Sequence, residues 1–98
     1  MLDALRCWAE MHNASLAAHG VHVETSIGGD SPNPGMFLDF DSTQFMGRIS
    51  CWESGECDLE VVDVGTGKTI YSDHQILTMP RGFTQAFRGF LQILGASI

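Results

Sequence analysis

The stretch FMGRISCWESGECDLEVVD, residues 45–63, decides how this chain folds. From Phe45 to Glu53, Ile49 alternates with Arg48, Ser50 and Trp52, and from Cys57 to Asp63, Leu59 and Val61 alternate with Asp58 and Glu60. A repeat of two is the signature of a strand with one dry face and one wet face. Ser54-Gly55-Glu56 between the two runs reads as a tight turn, which predicts an antiparallel hairpin.

The same pattern extends outward. Before the hairpin, Met36, Leu38 and Phe40 alternate with Phe37, Asp39 and Asp41, and earlier still Val21, Val23, Thr25 and Ile27 alternate with His22, Glu24 and Ser26. Gly28, Gly29, Pro32, Pro34 and Gly35 make the connection between those two strands an irregular loop. After the hairpin, Gly65-Thr66-Gly67-Lys68 turns the chain into a fifth strand at Thr69 to Ser72, and periodicity does not place the continuation through Ile76.

Helical patterns bracket the strands. Leu5, Trp8, His12 and Leu16 recur at helical spacing within an Ala-rich segment from Leu2 to Ala18, and Gly20 is placed to stop it. At the other end Pro80 is suited to open a helix whose stripe is Phe83, Phe87, Phe90, Leu91 and Leu94. Both stripes need an apolar surface, and one face of the meander supplies it. The prediction is a single α+β domain over residues 1–98, a four- to five-stranded antiparallel meander with N-terminal and C-terminal helices packed on one face.

That arrangement sorts the strand residues. With Val23, Leu38, Ile49, Leu59 and Val61 on the core side, alternation sends Glu24, Asp39, Asp41, Arg48, Ser50, Trp52, Asp58 and Glu60 outward, with Phe37 and Met46 nearby. A register slip of one residue exchanges Trp52 for Cys51. The charge follows the same segment. Residues 28–63 hold eight acids (Asp30, Asp39, Asp41, Glu53, Glu56, Asp58, Glu60 and Asp63) against Arg48 alone, while acids and bases balance elsewhere, so the formal net charge of −7 belongs to the middle of the chain. Carboxylates on neighbouring strands repel unless something basic covers them. A concentrated acidic face steers basic partners, and Trp52 among acids resembles an interface anchor, although a solvated strand face is the plainer reading of the charge alone.

Other function classes find less support. Gly67-Lys68-Thr69 resembles the end of a phosphate-binding loop, but Val62 stands where the first Gly is required, and a hairpin turn accounts for the glycines. His12, His19, His22 and His74 lack paired ligand spacing, so no metal site is predicted, and no cofactor. Asp73-His74 is not a triad, and no nucleophile elbow is present. A surface of net −7 repels phosphates, and no basic stripe with interleaved aromatics is present, which disfavours direct nucleic-acid binding. Three cysteines, Cys7, Cys51 and Cys57, without CxxC spacing are expected as free thiols in a cytoplasmic protein. No apolar run reaches the ~18–20 residues needed to span a bilayer, so no membrane role is expected. The protein is read as a binder, not an enzyme.

The run Gly47-Arg48-Ile49-Ser50-Cys51-Trp52-Glu53-Ser54-Gly55-Glu56-Cys57-Asp58-Leu59-Glu60-Val61-Val62-Asp63, continuing to Thr66-Gly67, resembles the G-R-I-x-x-W-x-x-G-x-x-D-x-E-[VIL]-x-D-x-x-T-G pattern of TriTu-type immunity proteins. These are small bacterial proteins encoded beside polymorphic toxins, contact-dependent growth inhibition toxins among them. The resemblance implies a protein that binds and neutralises the C-terminal domain of a cognate toxin in the cytoplasm of the producing cell, as a monomer or weak dimer. Many such toxins are nucleases with a basic groove, which carboxylates can occupy in place of nucleic acid. The candidate partner-binding residues are Asp39, Asp41, Arg48, Trp52, Glu53, Glu56, Asp58 and Glu60, with His22 and Glu24 at the edge. The alternative is a small acidic secretion or effector chaperone, which dimerises and takes an extended segment by strand addition.

Overall fold

Helix α1 spans Leu2–Ala18 and turns Leu2, Leu5, Trp8, Ala9 and Leu16 inward. It ends where Gly20, at φ 79°, lets two backbone N–H groups fold back: Gly20 donates to the Ala17 carbonyl and Val21 to the Leu16 carbonyl, both at 2.9 Å. The computed structural model describes residues 1–28, 32–77, 82–96 and 98. Asp30 and Pro80 lie outside the described residues, and so does the proposed role of Pro80 in opening a helix.

Five strands follow in unbroken meander order: β1 His22–Gly28, β2 Gly35–Asp41, β3 Phe45–Trp52, β4 Glu56–Asp63 and β5 Thr69–Ile76, each antiparallel to the last. The hairpin read from residues 45–63 is β3–β4, and the fifth strand runs on to Ile76, beyond the reach of its periodicity. Gly65 to Lys68 is a hairpin turn, closed by Asp63 N–H on the Lys68 carbonyl at 2.9 Å and Gly67 N–H on the Asp63 carbonyl at 2.8 Å.

All helices pack on one side of the sheet, and the core lies between. Leu38, Phe40, Ile49, Leu59 and Val61 from the strands meet Leu5, Leu16, Phe87 and Phe90 from the helices, each essentially without solvent exposure. Each such side chain contributes about 1.5–3 kcal/mol. Gly47 on β3 makes room for this packing: a Cβ there would stand 2.6 Å from the Phe90 ring. Trp8 joins the two helical layers, with its indole N–H donated to Thr84 Oγ1 at 2.9 Å and its ring edge-on to Phe87 at 5.6 Å.

Three expectations are corrected. The C-terminal helix is two short helices, α2 Phe83–Ala86 and α3 Arg88–Ile93, broken at Phe87 (φ −100°, ψ 14°). The halves follow different anchors: Phe83 and Phe87 pack on Trp8, whereas Phe90 packs on Phe40 and Tyr71, and Gly89 gives the segment little intrinsic helicity to resist the break. Second, Thr25 and Ile27 stay on the helix side of β1 but are not buried there, Ile27 being 67% exposed. Among the described residues nothing covers that end of the edge strand, although Val21 at the start of the run is buried. Third, Cys51 and Cys57 are joined in a disulfide, and only Cys7 is a free, exposed thiol. The two cysteines face each other across β3–β4 with Cα atoms 4.1 Å apart, a proximity created by hairpin register and invisible in their spacing.

Candidate functional site

The sheet face away from the helices is set by the period of two. Its central row crosses every strand: Glu24 pairs with Asp39, Asp39 with Arg48, Arg48 with Glu60, and Glu60 with Ser72. One row along lie His22, Asp41, Met46, Val62 and Thr69, and on the other side Ser26, Phe37, Ser50, Asp58 and His74. The alternation thus brings Glu24, Asp39, Asp41, Arg48, Ser50, Trp52, Glu56, Asp58 and Glu60 to one side, because the register pairs residues of equal parity without slip from β1 through most of β4.

Among the described strand residues, Arg48 is the one Lys or Arg on this face. Its Nε and Nη2 donate to the two carboxylate oxygens of Asp39 at 2.8 and 3.1 Å, and its guanidinium sits 5.1 Å over the Phe37 ring. The hydrogen bond to Asp39, followed by its charge, raises the Arg48 pKa above the usual guanidinium value, with Glu60 adding a smaller push. Arg48 therefore neutralises Asp39 and screens it from Glu60. Glu24, Asp41 and Glu60 stand exposed around it, and Met46, 53% exposed, offers an apolar surface beside them. Two shallow hollows, of about 660 and 560 Å³, flank Arg48 and Glu60, the first polar and reaching His74, the second floored by Met46 and Val62.

Asp58 and His74 form the second pair on this face, Nδ1 to Oδ1 at 2.5 Å. The hydrogen bond to Asp58 raises the His74 pKa, with smaller contributions from the Asp58, Glu56 and Asp73 charges. In the sequence His74 stands beside Asp73 and among four histidines without ligand spacing, and neither grouping points to Asp58. The true partner lies on the adjacent strand, and only the β4–β5 register reveals it.

Trp52 and Glu53 stand at the end of the face. Trp52 is half-buried and lies over Gly35, where a Cβ would come within 3.1 Å of its indole nitrogen. It thus takes the outward side that alternation assigned. Glu53 departs from the sheet: its carboxylate accepts from the Leu2 backbone N–H at 3.2 Å and the Met1 ammonium at 2.9 Å, capping α1 from 51 residues away. Those two hydrogen bonds lower its pKa. Among the described residues, no cluster of three His, Cys, Asp or Glu side chains is arranged to hold a metal ion, and no helix is long and apolar enough to cross a membrane.

No curated protein sequence matches this chain. Over residues 3–93, which include the whole sheet and both helical layers, the chain matches the family model of the immunity protein TriTu, and it belongs to that family of non-catalytic proteins that neutralise a cognate toxin.

Proposed function

We propose that the open sheet face is the toxin-binding surface and that the toxin is a basic protein, a nuclease whose phosphate groove the carboxylates occupy. The observation that carries this reading is the row Glu24–Asp39–Arg48–Glu60, in which one internal cation meets three acids, with Asp41, Glu56 and Asp58 beside it on the same side. Unsatisfied negative charge on neighbouring strands is offset when a cationic surface docks, and it accelerates the encounter before contact. Trp52 supplies a rigid aromatic anchor at one end, and Glu53 stands at the rim, where its engagement with α1 leaves it a lesser part. Binding takes place in the cytoplasm of the producing cell, with nucleic acid excluded from the toxin by competition.

The test uses the polypeptide encoded immediately upstream as the probe. Association with it is measured by stopped flow for the native protein and for a double variant, Asp41→Lys with Glu60→Lys. The double variant is expected to associate on the order of tenfold more slowly, with a flatter dependence on salt. Unchanged kinetics would remove this face from the interface. Nucleic-acid cleavage by the same polypeptide, suppressed at equimolar native protein, distinguishes a nuclease from a toxin of another kind.

A further inference from the structure

β1 and β5 are the two edges of the meander, and they are not equivalent. Along β5 the pairing with β4 shifts between Val61 and Val62, an irregularity of the kind that blunts an edge against further pairing. Along β1 the register with β2 is unbroken from His22 to Gly28, and the strand contains no Pro, Lys or Arg. Its outer backbone groups have no partner strand among the described residues. On the helix side of this edge Ile27 is 67% exposed. Further back along the same strand, Val23 and Thr25 join Ala9, Glu10 and Asn13 of α1 around a hollow of about 210 Å³.

We infer that β1 pairs antiparallel with β1 of a second copy, about a two-fold axis through Thr25, to give a continuous ten-stranded sheet. In this register Ile27 lies opposite Val23 of the second copy, on the helix side, and so enters the hollow between α1 and β1; the symmetry repeats the contact. Glu24 lies opposite Ser26, whose hydroxyl donates to the carboxylate, and Thr25 meets itself. Neighbouring registers are worse. An axis through Glu24 sets two carboxylates directly against each other, and an axis through either Glu24 or Ser26 pairs only five residues of the strand, against the seven of His22–Gly28 paired about Thr25. A one-residue slip puts the helices of the two copies on opposite faces.

A strand pair with two isoleucine anchors is smaller than a standard interface of roughly 1,600 Å², so the dimer is weak. Each copy carries −7, and this repulsion is screened by salt. Self-association therefore tightens as salt rises, opposite to the salt response of an acidic face bound to a basic toxin, and it stands independently of the toxin-binding proposal.

Sedimentation velocity on the full chain, from about 10 μM to about 1 mM, is expected to show a concentration-dependent monomer–dimer equilibrium. Ile27→Ala should weaken the dimer roughly tenfold. Thr25→Lys, which opposes two like charges on the axis, should weaken it roughly fivefold, whereas Ser26→Lys, which creates two Lys–Glu24 pairs, should tighten it by a similar factor. All three positions are exposed in the single chain, so the variants keep the fold, as thermal unfolding will verify. A protein that stays monomeric throughout overturns the inference. So does a dimer in which the two lysine substitutions shift affinity in the same direction, or in which Ile27→Ala changes binding to the toxin and not self-association.

Discussion

Arg48 directs both of its hydrogen bonds to Asp39, although the β-sheet register sets it between Asp39 on one side and Glu60 on the other. A bidentate fork fixes the guanidinium, and the ring of Phe37 below it supports that position. Glu60 is left as an exposed carboxylate whose nearest cation already has a partner.

Replacing Arg48 with Ala should move stability and binding in opposite directions. The row Glu24–Asp39–Glu60 loses its cation, and with both partners partly in solvent the cost is about 1 kcal/mol, or about 4–8 °C in Tm for a domain of this size. The loss should shrink in high salt. If the open face binds a basic toxin, the same change makes the surface more negative and speeds association. Thermal unfolding at two ionic strengths, combined with stopped-flow association, checks both signs.

His74 should titrate above the unperturbed histidine value of about 6.5. Because its folded-state pKa is raised, the stability it contributes is fully present below the unfolded value and disappears as pH rises through the folded value. Asp58→Asn should bring the titration back toward the ordinary value and flatten this pH dependence. NMR titration of the His74 ring protons in both proteins measures it; equal midpoints would show that the pair does not form in solution.

Gly47→Ala should destabilise the core. The added methyl meets the Phe90 ring at 2.6 Å, and overpacking of this kind costs about 1–3 kcal/mol. Urea unfolding should show a lower midpoint with an unchanged slope. Combining it with Phe90→Leu, which removes the obstructing ring, should give a double variant more stable than the sum of the single costs predicts.

Alkylation should distinguish the three cysteines. The native oxidised protein is expected to take one label, at exposed Cys7, and the reduced, unfolded chain three. With only six residues separating Cys51 and Cys57, loop-closure entropy limits the stabilisation by their disulfide to about 2 kcal/mol. Mass spectrometry of the labelled protein, and urea unfolding with and without reductant, test the two statements.

Much of this molecule is legible in its residues taken singly. The alternation of Leu38, Ile49, Leu59 and Val61 with Asp39, Arg48, Asp58 and Glu60 implies both the strands and the side on which the carboxylates stand, since a period of two allows no other sorting once one face is buried. The stripe Leu5, Trp8 and Leu16 implies α1 in the same way. These are local properties, repeated every two or about 3.6 residues, and they persist whatever the chain does elsewhere.

Other features required the folded chain. The disulfide between Cys51 and Cys57, the bond of the His74 ring to Asp58, the capping of α1 by Glu53, the break at Phe87 and the exposure of Ile27 each depend on what another segment brings alongside. Strand register and helix docking decide those meetings, and they minimise the free energy of the whole core instead of any one segment. The sequence by itself determined which residues form strands and which side of the sheet gathers the acids; tertiary packing alone decided which acids meet a base, which cysteines meet each other and which edge stays open, because pairwise contacts across a sheet are properties of register and not of composition.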